Sequence, residues 1–246
     1  MGYPVSEALL QVESISKYFG GFAALSQVSL SVAPGERLGI IGPNGSGKTT
    51  LINCIGGSLR SDGGVIRFDQ RNVSGFAAHR RARLGIARSV QIPRPFSSMS
   101  LAENIAVPLE YVVHRRGLHS ADVSGEARAL LAQMGLADKA DSKASALTQV
   151  DLRKLELARA LASQPRLLIL DEVMAGLAAA EVEEVLDIIL GVSRRGVAII
   201  MIEHIMRAIM RFSERVVCLD AGRIVAEATP AAIIQDPIVR RIYLGA

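Results

Sequence analysis

The sequence predicts an α/β protein: a parallel sheet covered by helices on both faces, preceded by a small antiparallel β part and interrupted by a helical lobe. Three observations carry that reading. Leu167 to Leu170 and Val197 to Ile202 are near-continuous apolar runs of strand length, the pattern of strands buried on both faces. The helix-compatible stretch between them, Ala179 to Leu190, supplies the crossover. Near the N-terminus the pattern is different, because Val28, Leu30 and Val32 alternate with Ser29 and Ser31 as in a half-buried antiparallel strand.

The chain has 246 residues, half of them apolar and 21% charged, which excludes a disordered or fibrous polypeptide and fits either one lobed domain or two small domains. No run approaches the ~18 to 20 uninterrupted apolar residues of a spanning helix. Two cysteines, Cys54 and Cys218, give no disulfide framework, and the default setting is a reducing one. The net charge of +4 comes from scattered Lys and Arg residues in short pairs such as Arg80-Arg81, which reads as a solvated surface. With six Phe, four Tyr and no Trp, little is available for base stacking, so nucleic acid is not expected as a partner.

In chain order, Leu9 to Val12 pairs with Val28 to Val32, and Arg37 to Ile41 is a short apolar strand followed by a glycine-rich turn and a helix from Lys48 to Ile55. Gly85 to Val90 leads to Gln91. From about Pro93 to Pro165 the text turns helical, at Leu101 to His114, Ser124 to Met134 and Val150 to Ser163. Arg215 to Leu219 and Ile224 to Ala226 flank a short turn and form a closing hairpin, and the tail from Pro230 is packed helix.

Gly42-Pro43-Asn44-Gly45-Ser46-Gly47-Lys48-Thr49 satisfies the phosphate-loop pattern, after a strand and at the start of a helix. Its glycines bring backbone N–H groups close to phosphates, and the helix N-terminus adds partial positive charge. Lys48 supplies a full charge near the β and γ phosphates, Thr49 offers a hydroxyl to magnesium, and Thr50 follows in the first turn. The run Leu167 to Leu170 ends in Asp171-Glu172. Parallel strands deliver their C-terminal ends to one edge of the sheet, so this pair belongs beside the phosphate loop. Asp171 would hold magnesium, directly or through water, and Glu172 would orient and deprotonate an attacking water. The same rule brings His204 to that edge, where a neutral imidazole could donate to the γ-phosphate. Gln91 could contact the metal or the water through its amide.

These residues resemble the nucleotide-binding subunits of ABC transporters, over about Leu9 to Ala246. GIARSVQIPRPF, MSLAENIAV, LRKLELARALA, LDEVMAGL, IIMIEHIMRAIM and VRRIYLGA are similar to the importer subunits for branched-chain amino acids and related substrates. The resemblance implies a P-loop NTPase (RecA-like) core formed by residues 1–92 and 165–246. It adds a helical lobe at 93–164 that carries a signature loop, and a C-terminal helical tail at 228–246. It implies ATP and Mg2+ as ligands, ATP hydrolysis coupled to transport, and a peripheral place on the cytoplasmic face of the membrane for a subunit soluble when isolated. Phe19, or its neighbour Tyr18, would stack on adenine. Gln91 would belong to the loop that senses the membrane partner, with Arg94 to Phe96 near that contact. The partners implied are integral membrane permease subunits, a second ATP-binding subunit, and a periplasmic or extracellular solute-binding protein acting indirectly.

In such proteins each nucleotide lies between the phosphate loop of one subunit and the signature, usually LSGGQ, of the other. Here the matching residues are Leu147-Thr148-Gln149-Val150-Asp151. Thr148 keeps a hydroxyl that can cap the next helix. Gln149 and Val150 replace glycines, and Asp151 sets a carboxylate at a helix start that should welcome an anion. Val173, Met174 and Ala178 also depart from the family pattern. A heterodimer with unequal sites is therefore favoured over a homodimer. The alternative is an ABC-type ATPase acting on nucleic acid or ribosomes; a single phosphate loop, with no heptad run and no basic tail, weighs against it.

Overall fold

A computed structural model describes residues 8–89, 95–113 and 122–244. Strands β1 (Leu10–Phe19), β2 (Phe22–Val32), β4 (Gly63–Phe68) and β5 (Arg71–Asn72) form an antiparallel sheet in the order β2-β1-β4-β5. The second sheet holds β3 (Arg37–Ile41), β6 (Ile86–Arg88), β7 (Leu167–Asp171), β8 (Ala198–Ile202), β9 (Arg215–Asp220) and β10 (Arg223–Ala228), in the order β10-β9-β3-β8-β7-β6. All of its neighbours pair parallel except β10, which returns antiparallel along β9.

Strands β7 and β8 are buried at every position, as their apolar runs predict. Their side chains alternate between two cores. Leu167, Ile169, Ala198, Ile200 and Ile202 pack toward the antiparallel sheet and helix α1 (Lys48–Gly56). Leu168, Leu170, Ile199 and Met201 pack on the other face. There they meet helix α6 (Ala179–Ser193), whose Val182, Val185, Leu186, Ile189 and Val192 form one helical stripe, and helix α7 (Met206–Phe212). A one-residue register slip in β7 would exchange both sets, so the two-sided burial fixes its pairing with β8.

Helices α3 (Leu101–Pro108), α4 (Val123–Gln133) and α5 (Gln149–Ala162) pack on one another around Leu101, Ile105, Leu131, Leu155 and Ala158. Helix α3 opens on a capping box: Ser100 Oγ accepts the Glu103 N–H at 3.2 Å, and the Glu103 carboxylate accepts the Ser100 N–H at 2.7 Å. The expected helix to His114 does not run through as α-helix. It gives way at Pro108, which has no N–H to continue the ladder, to a π turn over Leu109–Val113. Helices α8 (Pro230–Ile233) and α9 (Pro237–Leu244) close the chain.

Helix α2 (Ala78–Leu84) overturns one sequence expectation. Arg81 is not on a solvated surface; it is 1% exposed. Its guanidinium donates to the carbonyl oxygens of Cys54 (2.6 Å), Ile55 (2.7 Å), Phe76 (2.9 Å) and Ser74 (3.1 Å). Two of those carbonyls belong to the last turn of α1, where no intrahelical N–H can reach them. Arg81 thus finishes the helix whose other end is the phosphate loop. Arg81→Ala should cost about 3 kcal/mol or more, since it leaves several buried acceptors unpaired. Urea titration checks this, and a loss below about 1 kcal/mol would show that water satisfies those carbonyls instead.

Candidate active site

Strand β3 ends against its parallel neighbour β9, and there the chain must turn sharply. Gly42 has φ +152, and a Cβ on it would lie 2.1 Å from the carbonyl oxygen of Leu219, so no other residue fits without moving β9. Gly47, at φ +103, is pressed against the Ala24 carbonyl in the same way and is the N-cap of α1. Because glycine caps this helix, no side chain takes up its first N–H groups, which stay directed at whatever the loop encloses. Ser46 Oγ is buried with no hydrogen-bond partner among the described residues.

Residues 44–50 line a cavity of about 270 Å³ together with Phe19, Phe22, Ala24 and Glu172. Strands β1 and β2 join through the two-residue turn Gly20-Gly21, which pairs Phe19 with Phe22 and sets both rings, about half to two-thirds exposed, over one end of the cavity. Phe19 was expected there. Phe22 escaped the sequence reading because the apolar alternation that marks β2 starts only at Val28. Tyr18 is exposed but does not line the cavity.

Lys48 Nζ donates to the carbonyl oxygens of Gly42 at 2.8 Å and Pro43 at 2.9 Å, folding the side chain back over its own loop. Burial draws the ammonium below its ordinary pKa, against the opposite pull of Glu172 and Asp171. Glu172 follows the end of β7 with φ +49, a left-handed conformation uncommon outside glycine, and its N–H bonds the Ile202 carbonyl of the neighbouring β8 at 2.9 Å. That turn sends the carboxylate into the cavity. His204, just beyond β8, places Nε2 2.9 Å from Glu172 Oε1. Its expected place at the edge therefore becomes, in this structure, a direct contact with Glu172. Asp171 is 3% exposed, does not line the cavity, and pairs with Arg88 at 2.8 Å. Gln91 and Arg94 lie outside the described residues.

Thr148 does not line this cavity. It caps α5, its Oγ1 accepting the Asp151 N–H at 3.3 Å. The Asp151 carboxylate turns aside to Lys139 at 2.7 Å. Burial alone would push this carboxyl up, but Lys139 and Thr148 outweigh it and hold it below the usual carboxylate range. The charge expected to repel an anion at the helix start is thus already neutralised. Gln149 is exposed there and lies against Gly176. Met174 and Val173 are core residues, and Ala178 precedes α6 with its N–H bonded to Glu181 at 2.8 Å.

Two contacts had no visible sequence signal. Tyr243, on α9, accepts the Gly42 N–H on its hydroxyl at 2.6 Å across 201 residues, so a tail expected only to pack also props the base of the phosphate loop. Burial pushes that phenol up to about 12. Glu203, 3% exposed, accepts the Met174 N–H at 2.8 Å and so ties the end of β8 to the segment after Glu172. Burial raises its carboxyl to about 7, Glu172 adds to the rise, and the Met174 and His204 backbone and Arg153 hold it back. Its ordinary value is 4.5, so between about pH 4.5 and 7 the folded chain keeps a proton that the unfolded chain has released. Stability therefore falls as pH rises through that window, and the loss is complete above about 7. Glu203→Gln keeps the acceptor and removes the titration. Its stability relative to wild type should climb from pH 4.5 to 7 and then level off, as read by chemical denaturation; a pH-independent difference would refute this assignment.

Comparison with known proteins agrees with this geometry. Residues 25–175 match the family described as ABC transporter. The chain is 35% identical over 254 residues to the high-affinity branched-chain amino acid transport ATP-binding protein LivG of Salmonella typhimurium, covering 98% of this chain and 99% of the relative. It is also 35% identical over 237 residues to the lipopolysaccharide export system ATP-binding protein LptB of Acidithiobacillus ferridurans, covering 96% and 97%. The ADP conformation of MJ1267, an ATP-binding cassette of an ABC transporter, has a TM-score of 0.87 at 30% identity, covering 97% of this chain and 99% of that one. Loop, strand ends and relatives together establish that the chain belongs to the ABC transporter family of ATP-binding, ATP-hydrolysing subunits.

Proposed function

We propose that this subunit powers an importer of branched-chain or related amino acids from the cytoplasmic face of the membrane, hydrolysing ATP at the cavity bounded by the phosphate loop and Glu172. The observation that carries the site is the convergence of Lys48, Thr49 and Glu172 on that one cavity. Import is supported by LivG and by the importer-like strings along the chain; LptB, at the same identity, supports export as the second reading. A solute-binding protein belongs to the import reading only.

On this reading, the α1 N-terminus and Lys48 bind the β and γ phosphates, Lys48 exchanging its two loop carbonyls for phosphate oxygens. Phe19 and Phe22 offer faces for adenine. The donor set suits Mg2+, which takes one or two protein oxygens plus substrate phosphates, here Thr49 and Asp171, with Gln91 as a third candidate. Among the described residues no cluster of three His, Cys, Asp or Glu offers a dedicated protein cage for another metal. Bound there, magnesium would neutralise phosphate charge. Glu172 accepts the proton of the attacking water, and His204 fixes the carboxylate through its Nε2 contact. Glu172→Gln should lower ATP turnover at least ~100-fold while leaving ATP bound, and should abolish labelled leucine uptake in a strain depending on this chain. Lys48→Ala should weaken ATP binding itself. Full turnover in the Gln variant refutes the base; unaffected leucine uptake with a lipopolysaccharide export defect would favour the export reading.

The second ATP-binding subunit is, on this reading, a different chain. The Asp151–Lys139 pair removes one objection to a working signature, but Gln149 and Val150 keep side chains where phosphate must approach backbone. Replacing both with glycine should raise turnover of the reconstituted transporter at the site this signature faces. No change in turnover would mean that Thr148 and the helix N-terminus suffice, and would remove the argument for unequal sites.

A further inference from the structure

The carboxylate expected to meet magnesium already has a cation. Arg88, the last residue of β6, lies beside β7 in parallel register, Arg88 opposite Ile169. Its Nη2 is 2.8 Å from Asp171 Oδ2, and its Nη1 donates to Asn53 Oδ1 on α1. The Asp171 side chain is 4% exposed and that of Arg88 20%. A carboxylate buried to this degree is costly without a counter-charge, and the guanidinium supplies one. Asn53 holds the fork in line and links it to the helix that starts at Lys48.

The geometry points to Arg88 as a positioning residue: it balances the buried Asp171 carboxylate and competes with Mg2+ for it. The inference rests on the nucleotide-site reading above. Two positive charges close to one buried carboxylate repel each other, so Mg2+ held by Asp171 would weaken the Arg88 contact. Room for the displaced side chain exists. Arg88 also forms part of the wall of a larger cleft, about 560 Å³, that runs between the lobe and the core past Gly56, Ala82 and Tyr111. The pair thus makes metal binding conditional: a lone Mg2+ must displace an arginine, whereas Mg2+ arriving with phosphates brings ligands of its own.

The test is the Mg2+ concentration giving half-maximal binding of a fluorescent ADP analogue, with melting temperatures measured with and without Mg-ADP. Arg88→Met should lower the Mg2+ requirement about three- to tenfold. It should also lower the melting temperature of the ligand-free chain and widen the gap between free and Mg-ADP-bound protein. Arg88→Lys, which keeps the charge, should leave the requirement within about twofold of wild type. Should the methionine variant not fold, Arg88→Gln gives the same comparison. An unchanged or higher Mg2+ requirement, with melting lowered equally in both states, makes Arg88 a structural pair only and overturns the inference. Wild-type protein that binds no Mg-ADP at all overturns the nucleotide-site reading with it.

Discussion

The structure depends on the close approach of β3 to β9. Where β3 ends, the carbonyl of Leu219 occupies the space a Cβ would need, so the chain leaves the sheet through a glycine and curls into a loop. Every other feature of the site is measured from that point. The N–H of Gly42 is held by Tyr243 and its carbonyl by Lys48, and the Ser46 carbonyl is held by the N–H of Gly222 in the β9–β10 turn at 2.9 Å. The loop is therefore fixed from behind by the C-terminal hairpin and helix, which leaves its inner surface open. Elements at the far end of the sequence set the shape of a motif that reads as purely local.

The same sheet sorts the rest. Strands β7 and β8 have no solvent-facing side, so their only polar groups are at their ends, and parallel pairing puts those ends on one edge. Asp171, Glu172, Glu203 and His204 are neighbours for that reason and not through any local attraction. The left-handed turn at Glu172 then separates two adjacent carboxylates, one facing the cavity and one facing Arg88.

What the sequence makes legible is what depends on short stretches of chain. Strand β3 has the expected limits, Arg37–Ile41, and β7 and β8 differ by one residue at one end each, because short apolar runs that stop at a glycine or a charged residue state their own length. The phosphate loop and the acidic doublet are equally local. Strand β4 was missed because it opens on Gly63-Gly64, and Gly64 at φ +81 lies where a Cβ would collide with the Glu13 carbonyl of β1. Helix α2 shows basic residues without apolar period, and Arg81 looks like surface until α1 is placed above it. Arg88 lies inside one of the strings that carries the family likeness, yet its chemistry depends on Asp171, 83 residues away. Tyr243 is hidden for the same reason. In each case the informative partner is remote in sequence, and periodicity reports only neighbours.

The charged groups at the site have partners within the chain itself. Asp171 pairs with Arg88, Glu172 is in contact with His204, Lys48 lies on its own loop carbonyls, and burial raises the Glu203 carboxyl to about 7. On the proposed reading, a triphosphate with its magnesium breaks at least two of these arrangements, those of Lys48 and Arg88. The affinity observed is then the difference between the new contacts and the old ones, and it is smaller than the number of phosphate ligands suggests. On that reading, losing the γ-phosphate frees Lys48 to return to its loop carbonyls, and losing magnesium with the product frees Arg88 to return to Asp171. On the proposed reading, a subunit that must release its product each cycle is served by that competition between the protein's own groups and the ligand.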